Sequence, residues 1–182
     1  MNLQEKRLNA EYIYEGKIIK VRKDTALLPN NTTAIREVVE HNGGVCVAAL
    51  TDNNELLFVK QFRYPYMEEI LELPAGKRDS IDENPIDCGI RELKEETGAF
   101  ANKLISLGEL YPTPGYCGEI IWLFLATKLT FGDSKPDFDE FLEVEKIPLN
   151  KAVDMVLNGE IKDAKTQIAI LKIKLLKERG EI

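Results

Sequence analysis

The sequence predicts an α/β fold, with a small antiparallel β piece followed by a larger run of alternating strands and helices. Three observations carry this. Up to Glu40, short strand-forming runs are separated by turn residues such as Glu15-Gly16 and Pro29-Asn30-Asn31. Apolar runs of strand length, Val45–Leu50 and Leu56–Phe62, come next. Two helical patterns then appear, one closing at Gly98 and one over about 163–177. At 182 residues the chain has the size of one ordinary domain with an appended piece. We place an N-terminal β subdomain at 1–42 and the main domain at 43–182.

In order, Tyr12-Ile13-Tyr14, Lys17–Lys23, Thr25–Leu28 and Ala34–Glu40 read as a meander, small, polar and in need of another surface. Val45–Leu50 reads as a buried strand joined through Thr51–Glu55 to a hairpin partner, Leu56–Phe62. Ile70–Leu73 is a further strand running into Pro74-Ala75-Gly76. The helix that follows is fully punctuated: Asn84 as cap, Pro85 at the first helical position, Asp87 in the first turn and Gly98 as the stop. Its apolar residues Ile86, Ile90, Leu93 and Thr97 recur at helical spacing and predict the buried stripe, and Gly89 permits close packing. Strands are expected at Leu104–Leu110, Glu119–Leu129 and Phe141–Ile147, with an acidic loop at Gly132–Glu140 and a last helix at Asp163–Lys177.

The net charge of −7 argues against electrostatic binding to nucleic acid or an anionic membrane. No apolar run spans a bilayer, and the first twelve residues lack a hydrophobic signal core. Cys46, Cys88 and Cys117 fit neither a disulfide framework nor a zinc knuckle, so a soluble cytoplasmic protein is the expectation. His41 is the one histidine and reads as structural, so His-based catalysis has little to work with.

Chemistry concentrates on the punctuated helix. Glu83, Glu92, Glu95 and Glu96 surround it, and clustered glutamates toward a helix C-terminus repel one another and oppose the macrodipole. A cation should sit among them, and the all-oxygen donor set suits a hard divalent ion such as Mg2+.

The stretch from Gly76 through Glu83, Arg91-Glu92-Leu93-Lys94-Glu95-Glu96-Thr97-Gly98 and Ala99 resembles the box of the Nudix hydrolases, G-x5-E-x7-R-E-U-x-E-E-x-G-U, where U is a bulky apolar residue. Ala99 is small for its position, and six residues instead of five separate Gly76 from Glu83, which puts the position of Glu83 in question. The resemblance implies an α/β/α sandwich on a mixed sheet and Mg2+-dependent hydrolysis of a nucleoside diphosphate linked to another group, with Mn2+ as the alternative ion. It implies Glu92 and Glu96 as metal ligands with the carbonyl of Ala75, Glu95 as a helper for a second ion, and Arg91 as the residue orienting the glutamates.

Further segments narrow the resemblance to the bacterial ADP-ribose pyrophosphatases of that family: Ala34–His41, Val59–Pro65, Glu72–Gly76, Tyr111–Glu119 and, more weakly, Asp163-Ala-Lys-Thr166. It implies that Arg63 contacts the diphosphate, a task that suits a guanidinium fork. Arg36 and Glu37 would lie near the adenosine half, Gly115 would belong to the substrate loop, and Glu119 would face the terminal ribose or the metals. Relatives place the general base on an acidic loop; here it reads Asp137-Phe138-Asp139-Glu140, making Glu140 the match and Asp139 the fallback. The reaction implied gives AMP and ribose 5-phosphate from ADP-ribose. The resemblance also implies a homodimer through the N-terminal strands, whose exposed edges such pairing would protect. Two rivals stand beside it: a pyrophosphatase for another nucleotide sugar such as GDP-mannose, and a non-catalytic Nudix-like ligand-binding protein.

Overall fold

The structure, a computed structural model, describes residues 2–136, 138 and 140–182. Two compact units divide the chain: residues up to Gly43 together with Tyr111–Ile120, and the remainder. The segment 111–120, expected within a main domain of 43–182, thus groups with the first unit.

The first unit is an antiparallel meander of β1 (Lys6–Glu15), β2 (Lys20–Leu27) and β3 (Thr33–Glu40), in that spatial order. The β2–β3 turn needs a left-handed residue, and Asn31 supplies it at φ 65°. All of β1 is exposed, so this sheet buries little of its own surface. Val39 ties in the distant segment: its N–H donates to Tyr116 O at 2.8 Å and its carbonyl accepts from Gly118 N at 2.9 Å.

The second unit holds two sheets. The first is mixed, with order β7 (Ala75–Lys77), β4 (Gly44–Ala49), β9 (Ile121–Phe131) and β8 (Ala99–Leu110), in which β4 and β9 are parallel. The second is antiparallel, with β10 (Leu142–Pro148), β5 (Glu55–Arg63) and β6 (Glu68–Glu72) in that order. Helices α1 (Pro85–Thr97), α2 (Leu149–Leu157) and α3 (Ala164–Glu178) complete it. Strand alternation in β4 feeds two cores. Val45, Val47 and Ala49 pack with Cys88 and Leu93 of α1, while Cys46 and Ala48 pack with Ala169, Ile170 and Ile173 of α3. A sheet buried on both faces between helices is the expected α/β/α sandwich. No helix among the described residues is long and apolar enough to cross a membrane.

Two local expectations fail. β4 and β5 do not form a hairpin; one bridge, Leu50 to Leu56, marks a corner where the chain leaves one sheet for the other. An apolar run reports burial, and both strands are buried, but it does not specify the pairing partner. The buried face of α1 is also not the apolar stripe. Ile86 and Ile90 are about half exposed, and the inward residues are Cys88, Gly89, Glu92, Leu93 and Glu96. The caps of α1 are as read: the Asn84 side chain accepts from Ile86 N, and Gly98 sits at φ 67°.

Candidate active site

α1 approaches the mixed sheet closely because Gly89 carries no side chain. A Cβ there would stand 3.3 Å from Val47 Cγ2 and 3.5 Å from Phe124 Cδ2. Glu92 and Glu96 share that inward face, one turn apart, and are only 8% and 2% exposed. Glu96 Oε2 accepts the Ala75 backbone N–H at 3.0 Å, which locks the helix to the start of β7. Beside it, Gly76 gives the Glu92 carboxylate its space, since a Cβ on residue 76 would fall 1.9 Å from Glu92 Cδ. The obstacle is the end of a flexible side chain and not backbone. Gly76→Ala is therefore expected to leave thermal melting nearly unchanged while displacing Glu92 and cutting turnover by roughly 10²-fold. A large drop in melting temperature would instead mean that the glycine serves the backbone.

Arg91 gathers the other carboxylates. Its Nη1 donates to Glu92 Oε1 at 2.8 Å and Glu95 Oε2 at 3.1 Å, and its Nε donates to Glu83 Oε1 at 3.3 Å. Glu83 thus reaches Arg91 despite the extra residue in its loop. Arg78 shows how. It is 7% exposed, lies over the Trp122 ring at 4.9 Å, and donates through Nε to Glu83 O at 2.7 Å and through Nη2 to Ile81 O. The longer loop folds around that guanidinium. Glu83 also accepts the Asp79 N–H at 2.7 Å, and this bond together with Arg91 outweighs burial and holds its pKa below the ordinary carboxylate value.

Burial wins at the two inward glutamates. It pushes Glu92 up to about 7, with Glu95 and Glu140 adding repulsion against the pull of Arg91. Glu96 rises to about 8, chiefly by burial and then by the charges of Glu92 and Glu140. Among the described residues, no three carboxylate, histidine or thiol groups converge into a formed cation cage. The donors nonetheless fit a hard cation: adjacent buried carboxylates whose ionised forms are destabilised until a positive charge joins them. A pH dependence follows. Both pKa values lie above the ordinary 4.5, so the folded state keeps protons that the unfolded state releases. That stabilisation is fully present below about 4.5 and is lost progressively as pH rises from there to about 7 to 8. In chelator, the melting temperature should fall across this window more steeply than in the E92Q/E96Q double variant, and Mg2+ should offset the fall. Equal slopes in the two proteins would contradict this.

Glu140 is exposed, and its charge lies close enough to raise both inward glutamates. The fallback base, Asp139, and its neighbour Asp137 lie outside the described residues. Arg63, at the end of β5, grips Glu72 in a fork: Nε to Oε1 at 2.5 Å and Nη2 to Oε2 at 2.8 Å. Glu72 also accepts from Lys165, which sits 3.0 Å from Asp163. The sequence reading passed over Glu72, Lys165 and Arg78 as individual residues. Signals existed for the first two. Glu72 is a charge inside an apolar strand run, and Lys165 is a cation in a helix's first turn, where the macrodipole repels it; both need a partner.

In the first unit, Arg36 is held by Glu5, with Nε to Oε2 at 2.9 Å and Nη2 to Oε1 at 2.6 Å. As consecutive strand residues, Arg36 and Glu37 face opposite sides of the meander. Glu37 is the one lining a cavity of about 590 Å3, with Ile13, Val21, Arg22 and Tyr116 among its walls. Glu119 stands 3.4 Å from His41 Nδ1, which also accepts the Gly43 N–H at 3.0 Å. A Cβ on Gly115 would meet open space, so protein packing does not require a glycine there.

The NUDIX domain family model matches residues 40–168, and the model of the nucleoside diphosphate sugar hydrolase N-terminal domain matches residues 5–39. The chain is 41% identical over 176 residues to an ADP-ribose pyrophosphatase of Bacillus subtilis (strain 168), covering 96% of this chain and 95% of that one. It is 36% identical to the methanol dehydrogenase activator of Bacillus methanolicus, covering 94% of each. A GDP-mannose pyrophosphatase of Yersinia enterocolitica is 34% identical over 77% of this chain and 79% of its own length. A solved structure described as an ADP compounds hydrolase superposes over 100% of both chains with a TM-score of 0.85 at 23% identity, a likeness of fold.

Proposed function

Because this chain belongs to the Nudix hydrolase family, we propose that it hydrolyses ADP-ribose to AMP and ribose 5-phosphate, with Mg2+ as its metal and Mn2+ as a substitute. The observation that carries the reading is the juxtaposition of buried Glu92 and Glu96 with the Arg91 hub. The adenosine diphosphate specificity rests on the Bacillus subtilis relative, similar along nearly the whole chain.

Nudix hydrolases are generally divalent-metal dependent. Glu92, Glu96 and the Ala75 carbonyl would hold the ion, with Glu95 serving a second; when bound, such ions offset the diphosphate's charge and acidify water. Arg91 fixes the three glutamates it touches. Arg63 turns its fork to the diphosphate oxygens, where a bidentate guanidinium is well matched. Glu140 takes the proton of the attacking water, and Glu140→Gln should lower kcat roughly 10²-fold. An unchanged kcat would move that role elsewhere. Gly115 leaves the substrate loop free to approach the sugar, and Glu119 faces the terminal ribose. Glu37, on its cavity, and Arg36 on the opposite strand face serve the adenosine half, so one ligand on one face meets only one of them directly. A homodimer through the exposed β1 accounts for the opposite face, and the free thiols of Cys46, Cys88 and Cys117 suit a cytoplasmic setting.

The similarity to GDP-mannose pyrophosphatases favours a second reading within the same chemistry. Initial rates over a panel of nucleotide sugars separate the two. The highest kcat/KM is expected for ADP-ribose, and about a tenfold preference for GDP-mannose, worth about 1.4 kcal/mol, would overturn it.

A further inference from the structure

We propose that Lys165 is a positioning residue that allows Arg63 to leave Glu72 for the substrate's diphosphate without stranding a buried charge. The inference rests on the phosphate role proposed for Arg63. Glu72 is 2% exposed, so its carboxylate must keep a cationic partner. It has two. Arg63 occupies both oxygens, and Lys165 shares Oε2. If Arg63 withdraws, Lys165 still holds Glu72.

The placement of Lys165 is costly on its own terms. It is the second residue of α3, where the helix dipole opposes a cation, and its side chain is only 11% exposed. Burial works against its charge, yet Asp163 and Glu72 together hold its pKa above the usual lysine value. Anchoring α3 does not explain this lysine. The neighbouring Thr166 performs that task, accepting the Leu73 N–H at 2.9 Å and donating its own N–H to the capping Asp163 Oδ2 at 3.0 Å. What the ammonium adds is a standby counter-ion on the carboxylate that grips Arg63. Without it, the Glu72–Arg63 pair becomes obligatory and the fork is withheld from substrate.

The test is steady-state kinetics on ADP-ribose with Mg2+ for K165M, E72Q and K165M/E72Q beside wild type. K165M should raise KM by at least roughly tenfold with a much smaller change in kcat. Adding E72Q, whose neutral amide demands no cation, should bring KM back to within about threefold of wild type. A KM for K165M equal to wild type overturns the proposal, as does a double variant no better than K165M. A merely structural lysine predicts no such recovery. If K165M fails to fold, E72Q alone decides, because release of Arg63 should lower KM and an equal or higher KM overturns the proposal. Arg63→Ala separates the two layers. An unchanged KM there removes the phosphate role itself, whereas a raised KM beside an unaffected K165M removes only the role of Lys165.

Discussion

Glu96→Gln is expected to reduce turnover by at least roughly 10²-fold while the chain stays folded. The amide keeps the size of the carboxylate and can still accept the Ala75 N–H that Glu96 Oε2 now receives at 3.0 Å. What it removes is the ability to ionise against a cation. Since burial already pushes Glu96 up to about 8, the ligand-free protein near neutral pH holds it largely neutral, and the variant resembles that state. Melting should therefore be unchanged or raised below pH 8 without metal, and added Mg2+ should stabilise the variant less than wild type. Comparing kcat with metal-dependent melting checks both halves. Near-normal turnover would remove Glu96 from the metal site.

The second large effect is at Arg63. Arg63→Ala is expected to raise KM for ADP-ribose by roughly 10- to 100-fold, the loss of a charge-assisted pair of hydrogen bonds to phosphate oxygens. Folding should survive, because Glu72 keeps Lys165 as its counter-ion. Unchanged KM would mean that the fork seen on Glu72 is the whole of its function.

Local grammar made much of this legible. Asn84, Pro85 and Gly98 delimit α1 because caps and stops act within one turn and leave plain residue signatures. Which face α1 buries was not legible from apolar periodicity. Glu92 and Glu96 turn inward with polar partners, Arg91 on Glu92 and the Ala75 N–H on Glu96, and Gly89 and Cys88 do so because a small surface lets the helix lie close on Val47 and Phe124. A pattern that counts only large apolar residues assigns Ile86 and Ile90 to the core, and they stand half exposed. α2 went unread for a related reason: it is nine residues long and begins after Pro148 with no side-chain cap.

The candidate site divides the same way. Metal-ligand candidates lie within one helix and the short strand before it, so spacing alone brings them together. The partners of Glu72 and Arg78 come from elsewhere: Lys165 lies 93 positions from Glu72, and the Trp122 ring of β9 packs against Arg78. Such pairings follow from topology, and the sequence offered only their symptom, charges placed where an isolated charge would be unfavourable. Despite the extra residue between Gly76 and Glu83, Glu83 still meets Arg91, because Arg78 fills the longer loop with a stacked guanidinium.

A crystal structure with Mg2+ and a non-hydrolysable ADP-ribose analogue tests the central claim most directly. The predicted result is Mg2+ on Glu92 and Glu96, with the Arg63 fork moved from Glu72 onto the diphosphate and Lys165 still on Glu72. Metal bound away from these glutamates, or a diphosphate bound while Arg63 stays on Glu72, would contradict it.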